Sequence, residues 1–351
     1  MAADDARRGA PCTVLRAADA CFVDLAALGD SRRHKSDCTA VALVVAGRPT
    51  AERRALKGCH DATPEATAAF RNERRALVLC DGSPFVVALH RACERQLVLV
   101  QELAAFDLSR IAAGRVPVGW VRWVAASMVL ALERVHSHRI LHLDIKPDNV
   151  LVSMDGTPML GDFGCALHLT TLHDRVALGS YRGTLTFAAP ELLDEREDGS
   201  WQHVASRASD IWALGMTCHR LLLASYPEAY QRSVGTGDAS DGEHTPLECM
   251  RFNAAAARQP LVAPLDLDPA HSTAWDFIVA LMHQDPQKRL GMAASQQATG
   301  YSWNSNLYDD LRGHPFFGGL DWAALAAKQL SPLLLSPPLS AIDLNRQLTM
   351  Q

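Results

Sequence analysis

Five charged or amide side chains stand along the chain in an order and spacing that could serve phosphoryl transfer. Lys57 is followed sixteen residues later by Glu73. Farther along come Asp144, then Asn149 five residues after it, and Asp162 thirteen residues after that. Phosphoryl transfer asks a protein chiefly for positioning and for charge neutralisation around the phosphates. A cation for the phosphates, oxygen ligands for Mg²⁺ and a carboxylate facing the acceptor hydroxyl would supply both.

The elements that must position Lys57 and Glu73 are a strand and the helix that follows it. Apolar, β-favouring runs predict four strands, over residues 41–45, 55–57, 85–89 and 96–100. Lys57 ends the second of these strands. Thr63 is a suitable N-cap and Pro64 a suitable first helical residue, so a helix carrying Glu73 is predicted from here to about Cys80.

From residue 107 onward the pattern is mostly helical. Helical periodicity predicts three long helices, over residues 118–137, 208–224 and 271–283. A stretch rich in Gly, Ser, Asp and Thr over 233–245 predicts a surface loop. The sequence therefore predicts an α+β protein with a small β-rich part and a larger helical part. We assign residues 1–20 to an N-terminal extension, 21–103 to the small lobe, 104–317 to the large lobe and 318–351 to a C-terminal tail.

The composition favours a soluble globular protein. Of the 351 residues, 48% are hydrophobic and 21% charged, and a net charge of −5 lacks the basic excess of a nucleic-acid binder. Nine cysteines without a CxxC pair argue against a disulfide framework or a zinc site. The N-terminus lacks the apolar core of a signal peptide, and the longest nearly apolar run, residues 124–132, is too short to cross a bilayer. We therefore expect a cytoplasmic or nuclear protein without a transmembrane segment.

Short motifs around these residues resemble the eukaryotic protein kinase signature. After the strand Lys and the helix Glu come His-Leu-Asp at 142–144, Asp-Phe-Gly at 162–164 and Ala-Pro-Glu at 189–191. Asp210, in the run 209–215, resembles the family aspartate that anchors the catalytic loop, and Arg289 resembles the arginine that pairs with the Glu of Ala-Pro-Glu. The resemblance covers about residues 21–325. It implies the bilobal protein kinase fold, ATP and Mg²⁺ as cofactors, and protein substrates.

The resemblance also implies catalytic roles. Asp144 would act as the catalytic base toward the acceptor hydroxyl, and Lys146 would neutralise the γ-phosphate. A Lys two residues after the Asp is typical of Ser/Thr kinases, so the implied acceptors are Ser and Thr. Asn149 and Asp162 would bind the Mg²⁺ ions.

A further set of residues is implied for the nucleotide. Lys57, paired to Glu73, would hold the α- and β-phosphates. The other implied cofactor-binding positions are Leu28, Gly29, Ala55, Glu102, Ala104 and Leu151. Gln101 would stand at the gate of the pocket and Asp107 could meet the ribose. Plain core packing is the alternative interpretation of the apolar positions, and a helix N-cap that of Asp107.

The end of the domain and one loop point to a branch of the family. Residues 314–317, followed by Asp321 and Trp322, resemble the end of AGC-type kinase domains. The run 179–184 is similar to the activation loop of 3-phosphoinositide-dependent protein kinases, with Ser180 at the phosphorylated position. Ser180 is therefore a candidate regulatory site, phosphorylated by an upstream kinase or by the chain itself. The alternative is an ordinary exposed loop serine.

Two positions depart from the family pattern. The phosphate-covering loop retains only Gly29 of three glycines, which normally let backbone N–H groups approach the phosphates. We expect weaker ATP binding, or basic side chains after Gly29 in place of backbone donors; a solvated hairpin tip is the other interpretation of this basic run. Leu143 replaces the arginine that pairs with a phosphorylated loop, so we expect activity to depend only weakly on phosphate at Ser180.

Three functional hypotheses follow. The first is an active Ser/Thr protein kinase, which the intact set of catalytic and phosphate-binding residues favours. The second is a pseudokinase that serves as a binding or scaffolding module, which the degenerate glycine-rich loop favours. A small-molecule kinase is disfavoured because such enzymes usually lack the pairing predicted between Glu191 and Arg289.

Overall fold

A four-stranded antiparallel sheet and one helix form the N-terminal part of the protein. The computed structural model describes residues 15–17, 20–22, 40–45, 53–58, 63–112, 116–170, 175–231, 245–292 and 307–330. The first elements are β1 (Leu15–Ala17), β2 (Ala20–Phe22), β3 (Ala40–Val45), β4 (Arg53–Gly58), α1 (Pro64–Leu79), β5 (Leu89–Cys93) and β6 (Val98–Glu102). The sheet has the order β3-β4-β6-β5, and β1 pairs with β2. Strand β4 is therefore central, which holds its residue Lys57 opposite Leu99 of β6.

Helix α1 forms as its sequence predicts. The Thr63 hydroxyl accepts a hydrogen bond from the backbone N–H of Ala66 at 3.1 Å, and Pro64 occupies the first turn, where its missing N–H costs nothing. The buried positions recur at helical spacing and include Ala66, Phe70, Glu73 and Leu77. The prediction of a capped helix ending near residue 80 is confirmed.

The predicted strand over residues 85–89 is wrong. Phe85, Val86 and Val87 are buried, as the apolar run indicates, but they do not join the four-stranded sheet. The N–H of Val87 donates to the carbonyl of Leu160 at 3.0 Å, and the N–H of Leu160 donates to the carbonyl of Phe85 at 2.8 Å. The run is therefore buried against the larger part of the protein, and the edge strand β5 begins at Leu89.

The remaining elements build a mostly helical part around short strands. In chain order they are β7 (Phe106–Asp107), α2 (Val118–Ser137), β8 (Ile140–Leu141), β9 (Val150–Val152), β10 (Pro158–Leu160), β11 (Leu167–His168), β12 (Arg175–Leu178), β13 (Asp194–Glu195), β14 (Trp201–Ser206), α3 (Arg207–Leu223), α4 (Glu228–Gln231), α5 (Pro246–Ala257), α6 (Ser272–Leu281), α7 (Leu307–Gly313) and α8 (Trp322–Ala326). Helices α2, α3 and α6 match the three predicted helices to within two residues at each end. The α+β architecture with a β-rich N-terminal part and a helical remainder is confirmed.

Helices α2 and α3 form the centre of the large part. Both are buried along most of their length, and α3 begins with a capping box between Ser206 and Ser209. Across the described ranges, no helix combines the length and apolarity needed to span a membrane. Apart from Thr245, which caps α5, the predicted surface loop lies outside the described residues. The boundaries assigned to the lobes and the tail remain predictions.

A small three-stranded sheet of order β12-β14-β13 holds the segment before Ser180. Strand β12 pairs antiparallel with β14, from Arg175 opposite Ser206 to Leu178 opposite His203. Because β14 runs directly into α3, this pairing ties the segment to the central helix. It was not predicted from the sequence.

Candidate active site

Lys57, Glu73 and Asp162 meet in an ion cluster between the sheet and helix α1, in which Lys57 and Glu73 are buried and Asp162 is partly exposed. Nζ of Lys57 lies 2.9 and 2.7 Å from the two carboxylate oxygens of Glu73 and 2.7 Å from Oδ1 of Asp162. Nε2 of Gln101 on β6 donates to Glu73 Oε1 at 3.1 Å. Strand β4, helix α1 and the turn after β10 therefore bring together three residues predicted from spacing alone, and Gln101 supports Glu73 in a way the sequence did not indicate.

Burial and opposite charge compete within this cluster. Burial by itself would lower the pKa of Lys57, but the Glu73 and Asp162 carboxylates outweigh it and raise that pKa above its usual value. Burial raises the pKa of Glu73, with the Lys57 charge opposing. Burial would also raise the pKa of Asp162, yet Lys57 and the Gly164 N–H hold it below its usual range. At neutral pH the cluster therefore presents a charged ammonium beside an ionised Asp162.

The side chain of Asp144 sits in a ring of hydrogen bonds on the loop after β8. Nζ of Lys146 lies 3.0 Å from Asp144 Oδ2, and Nδ2 of Asn149 donates to the same oxygen at 2.9 Å. The hydroxyl of Thr184 donates to Asp144 Oδ1 at 2.7 Å and accepts from Lys146 Nζ at 2.6 Å. The structure thus gathers the three predicted catalytic residues in one place. Thr184 was not predicted as a site residue, although it lies directly after Gly183 in the run that resembles an activation loop.

The backbone of the 142–149 loop is held by hydrogen bonds to Asp210 of helix α3. Its carboxylate, which is fully buried, accepts the backbone N–H groups of His142 at 2.9 Å and Leu143 at 2.8 Å. The His142 ring packs edge-on against Phe163 and lies 2.9 Å from the carbonyl of Gly161. The loop is therefore attached both to the central helix and to the Asp162–Gly164 turn.

Glu191 and Arg289 form a second ion pair, well inside the helical part. The guanidinium makes two parallel hydrogen bonds to the carboxylate, each at 2.7 Å, and stacks over Trp212 at 5.0 Å. Nη1 of Arg289 also donates to the carbonyl of Ala208 at 2.8 Å. This is the pairing that the sequence motifs implied.

Comparison with known proteins identifies the chain. A family model for the protein kinase domain matches residues 40–303, which is more than half of the sequence. This chain belongs to the protein kinase family. It is 32% identical over 267 residues to serine/threonine-protein kinase MRCK gamma of Mus musculus, covering 74% of this chain and 15% of that protein. It is 29% identical over 270 residues to ribosomal protein S6 kinase alpha-4 of Homo sapiens, covering 74% of this chain and 30% of that protein.

The kinase domain of this chain spans less than a third of the length of these relatives. The predicted protein kinase fold is confirmed, and the relatives are consistent with an AGC-like domain. The domain and its Ser/Thr kinase relatives support Ser/Thr kinase activity, and the pseudokinase alternative gains no support.

The donor set of this kinase domain fits Mg²⁺. The amide nitrogen of Asn149 is committed to the carbonyl of Asp144 at 2.7 Å and to its carboxylate, so the amide oxygen is the atom that would bind a metal. Asp162 supplies a carboxylate whose side chain is 42% exposed. No cluster of three or more His, Cys, Asp or Glu capable of holding a metal occurs in the described part of the chain. One carboxylate and one amide suit an ion that takes its remaining ligands from phosphates and water.

Only some of the predicted nucleotide-binding positions fall within the described residues. Leu28 and Gly29 lie outside the described residues. Ala55, Ala104 and Leu151 are half-buried, and the N–H of Glu102 donates to the carbonyl of Ala88 at 2.9 Å. Asp107 caps the turn after β7 by accepting from the N–H of Ser109 at 3.1 Å, so it serves as an N-cap.

Ser180 lies exposed just after strand β12. Leu143, at the position of the family arginine, is 7% exposed and packs in the hydrophobic core. Gly183 adopts a φ of 99°, and a Cβ there would lie 2.1 Å from the Leu143 carbonyl oxygen, so only glycine permits this close approach. The activation loop therefore contacts the catalytic loop through backbone atoms.

Proposed function

We propose that this kinase domain transfers the γ-phosphoryl group of ATP to Ser and Thr hydroxyls of other proteins, with Asp144 as the catalytic base. The set of hydrogen bonds around the Asp144 carboxylate carries the proposal. Lys146, Asn149 and Thr184 hold that carboxylate from three directions. The Lys57–Glu73 pair is formed in the same structure.

Asp144 and Lys146 divide the chemistry at the acceptor. Asp144 orients the acceptor hydroxyl and takes its proton as the phosphoryl group transfers. Lys146 places an ammonium 3.0 Å from that carboxylate, where it offsets negative charge on the γ-phosphoryl oxygens. Thr184, hydrogen-bonded to both, keeps the two side chains at a fixed separation.

The nucleotide is held by charge on one side and by apolar contact on the other. Lys57, oriented by Glu73, binds the α- and β-phosphates. Asn149 and Asp162 would hold Mg²⁺, which when bound neutralises charge on the phosphate oxygens. The proposed adenine and phosphate contacts are Leu28, Gly29, Ala55, Glu102, Ala104 and Leu151. Glu102 would bind adenine through its carbonyl oxygen, since its N–H is already bonded to Ala88.

The substrate class and setting follow from the same residues. We propose protein substrates, with Lys146 favouring Ser and Thr as acceptors. The net charge of −5 supports a partner that is not nucleic acid. The exposure of Ser180 supports its phosphorylation by an upstream kinase or by the chain itself. A cytoplasmic or nuclear location remains part of the proposal.

A phosphotransfer assay tests the proposal. Purified parent protein and the Asp144→Asn variant are incubated with radiolabelled ATP, Mg²⁺ and a generic protein substrate. We expect the variant to lose about 10²- to 10⁴-fold in rate. We expect EDTA to abolish transfer, and phosphoamino acid analysis to find label on Ser and Thr but not on Tyr. Transfer by the parent that never exceeds the Asp144→Asn background, across several buffers and substrates, would show the proposal to be wrong.

A further inference from the structure

A buried chain of hydrogen bonds connects helix α7 to the catalytic loop. Tyr308 on α7 is 8% exposed, and its hydroxyl lies 2.5 Å from Nδ1 of His136 on α2. Nε2 of His136 lies 2.8 Å from Oδ2 of Asp210 on α3. Asp210 accepts the backbone N–H groups of His142 and Leu143. Three helices thus converge on the backbone just before Asp144, through a relay formed by Tyr308, His136 and Asp210.

The donor and acceptor in each hydrogen bond of the relay follow from the chemistry of its three side chains. The Asp210 carboxylate only accepts, so Nε2 of His136 carries the hydrogen of the bond between them. Burial lowers the pKa of His136, with Asp210 opposing, and a neutral ring leaves Nδ1 as an acceptor. Burial raises the pKa of Tyr308, so its hydroxyl keeps its proton and donates to Nδ1. Tyr308 therefore selects the His136 tautomer that donates to Asp210.

We propose that Tyr308 is a positioning residue for phosphoryl transfer, which acts through His136 and Asp210 on the loop that carries Asp144. The proposal rests on the proposed function. Without the hydroxyl, Nδ1 becomes a buried acceptor with no donor, which favours the other tautomer or a rotated ring. Either change withdraws the Nε2 hydrogen from Asp210.

Loss of that hydrogen bond reaches the catalytic loop through a shared atom. Oδ2 of Asp210 accepts from both His136 Nε2 and the His142 N–H. When the bond from His136 is lost, the Asp210 carboxylate is free to turn. Its bond from the His142 N–H is then no longer held in line. Transfer rates are sensitive to small displacements of this kind, because a misplacement of about 1 Å can cost about a hundredfold. The described nucleotide-binding residues of the small lobe lie on β4, α1 and β6, none of which carries a member of the relay, so ATP binding should be spared.

The first test compares Tyr308→Phe with Val129→Ala. The first change removes only the hydroxyl, whereas Val129 is a fully buried residue on α2 whose truncation serves as a stability control. We expect Tyr308→Phe to lower kcat about tenfold while the KM for ATP stays within about twofold. We expect Val129→Ala to leave both constants nearly unchanged below its melting temperature. Equal losses of kcat in the two variants would overturn the proposal.

A double-mutant cycle tests whether Tyr308 acts through His136. His136→Gln can still accept from Tyr308 and donate to Asp210, so it should retain more activity than His136→Leu. Tyr308→Phe should cause no further loss in the His136→Leu background. Losses that multiply would show that Tyr308 acts by another route. If His136→Leu does not fold, the comparison with Val129→Ala and the exchange measurement below decide the question.

Hydrogen exchange provides a readout that does not depend on turnover. The amide hydrogens of His142 and Leu143 are the ones that Asp210 accepts, so their protection reports the relay directly. We expect Tyr308→Phe to speed their exchange about tenfold and Val129→Ala to leave it unchanged. Unchanged protection in Tyr308→Phe would overturn the relay even in a protein without kinase activity. A parent that shows no Asp144-dependent transfer, with the exchange result as expected, would instead overturn the proposed function alone.

Discussion

Two ion pairs of similar chemistry lie in different surroundings, one in the small lobe and one in the large. The Lys57 cluster contains a carboxylate, Asp162, whose side chain is 42% exposed. The Glu191–Arg289 pair is closed, since the exposed fraction is 0% for the Arg side chain and 10% for the Glu side chain. Arg289 also donates hydrogen bonds to the carbonyls of His283 and Ala208. The first site thus retains capacity for a ligand, whereas the second is saturated by the protein itself.

This difference predicts separate roles for the two sites: the Lys57 cluster should serve catalysis, and the Glu191–Arg289 pair should stabilise the fold. A saturated buried pair holds two segments together, and removing one partner strands the other charge inside the fold. In the Lys57 cluster, the partly exposed Asp162 carboxylate can exchange Lys57 for a metal ion, and Lys57 can then turn to phosphate, which would make the cluster useful in catalysis. Changes at Arg289, Lys57 and Glu73 test this division, and their expected free-energy effects decrease in that order.

The largest effect is expected from Arg289→Met. Removing the guanidinium leaves the Glu191 carboxylate buried without its partner, so we expect the free energy of unfolding to fall by about 3–5 kcal/mol. Chemical denaturation measures the change. The control is Arg251→Met, which removes an exposed partner of Glu195 and should cause no measurable loss. Similar stability of the two variants would show that the Glu191–Arg289 pair is not a structural clamp.

Lys57→Met should lower kcat/KM strongly and the free energy of unfolding less than Arg289→Met does. The phosphates lose their cation, so we expect kcat/KM to fall about 10²- to 10³-fold. The loss of stability should be smaller than for Arg289→Met, because Asp162 is partly solvated and Glu73, whose pKa burial already raises, can take up a proton. The phosphotransfer assay and a denaturation curve on the same preparation provide both values. Loss of stability equal to that of Arg289→Met would contradict the comparison.

Glu73→Gln tests the orienting role of the carboxylate alone. The amide oxygen can still accept from Lys57, but the charge attraction is lost, so we expect about a tenfold decrease in kcat/KM. Glu94→Gln is the matched control, since Glu94 pairs with Arg74 at the surface. Equal activity of the two variants would show that the charge of Glu73 is unimportant.

Ser180→Ala should have the smallest effect, less than about threefold in kcat. Leu143 offers no charge to a phosphate at Ser180, and β12 is already paired with β14. Thr184→Ala provides a contrast in the same loop, because it removes a direct hydrogen bond to Asp144 and should cost more. A loss beyond about a hundredfold for Ser180→Ala would show that loop phosphorylation controls the enzyme after all.

Features with local signals in the sequence were predicted well. The Thr63 cap, the Pro64 start and the 20 residues of α2 all follow from neighbouring residues, and the structure places them as expected. The ion cluster around Lys57 also followed from short motifs at family spacing. These signals work because a cap or a helical face depends on residues only a few positions apart.

Features made by distant segments were missed. The apolar run 85–89 has the composition of a strand, but Phe85 and Val87 form backbone hydrogen bonds with Leu160, which no local pattern reveals. Tyr308 and His136 are separated by 172 residues. The pairing of β12 with β14 likewise depends on a partner strand beyond the Ala-Pro-Glu motif. Only the folded chain brings these groups together.

The pairing of β12 with β14 also bears on how this sequence can change over generations. A link between a phosphate and an arginine fails when either residue mutates. A link made of main-chain hydrogen bonds is insensitive to most side chains and is broken chiefly by proline. Substitutions at the exposed positions 175 and 177 that keep the strand should therefore accumulate with little penalty, whereas Val176 and Leu178 pack against the hydrophobic core. This strand of the kinase can therefore vary at its exposed positions while the pairing of its backbone with β14 is kept.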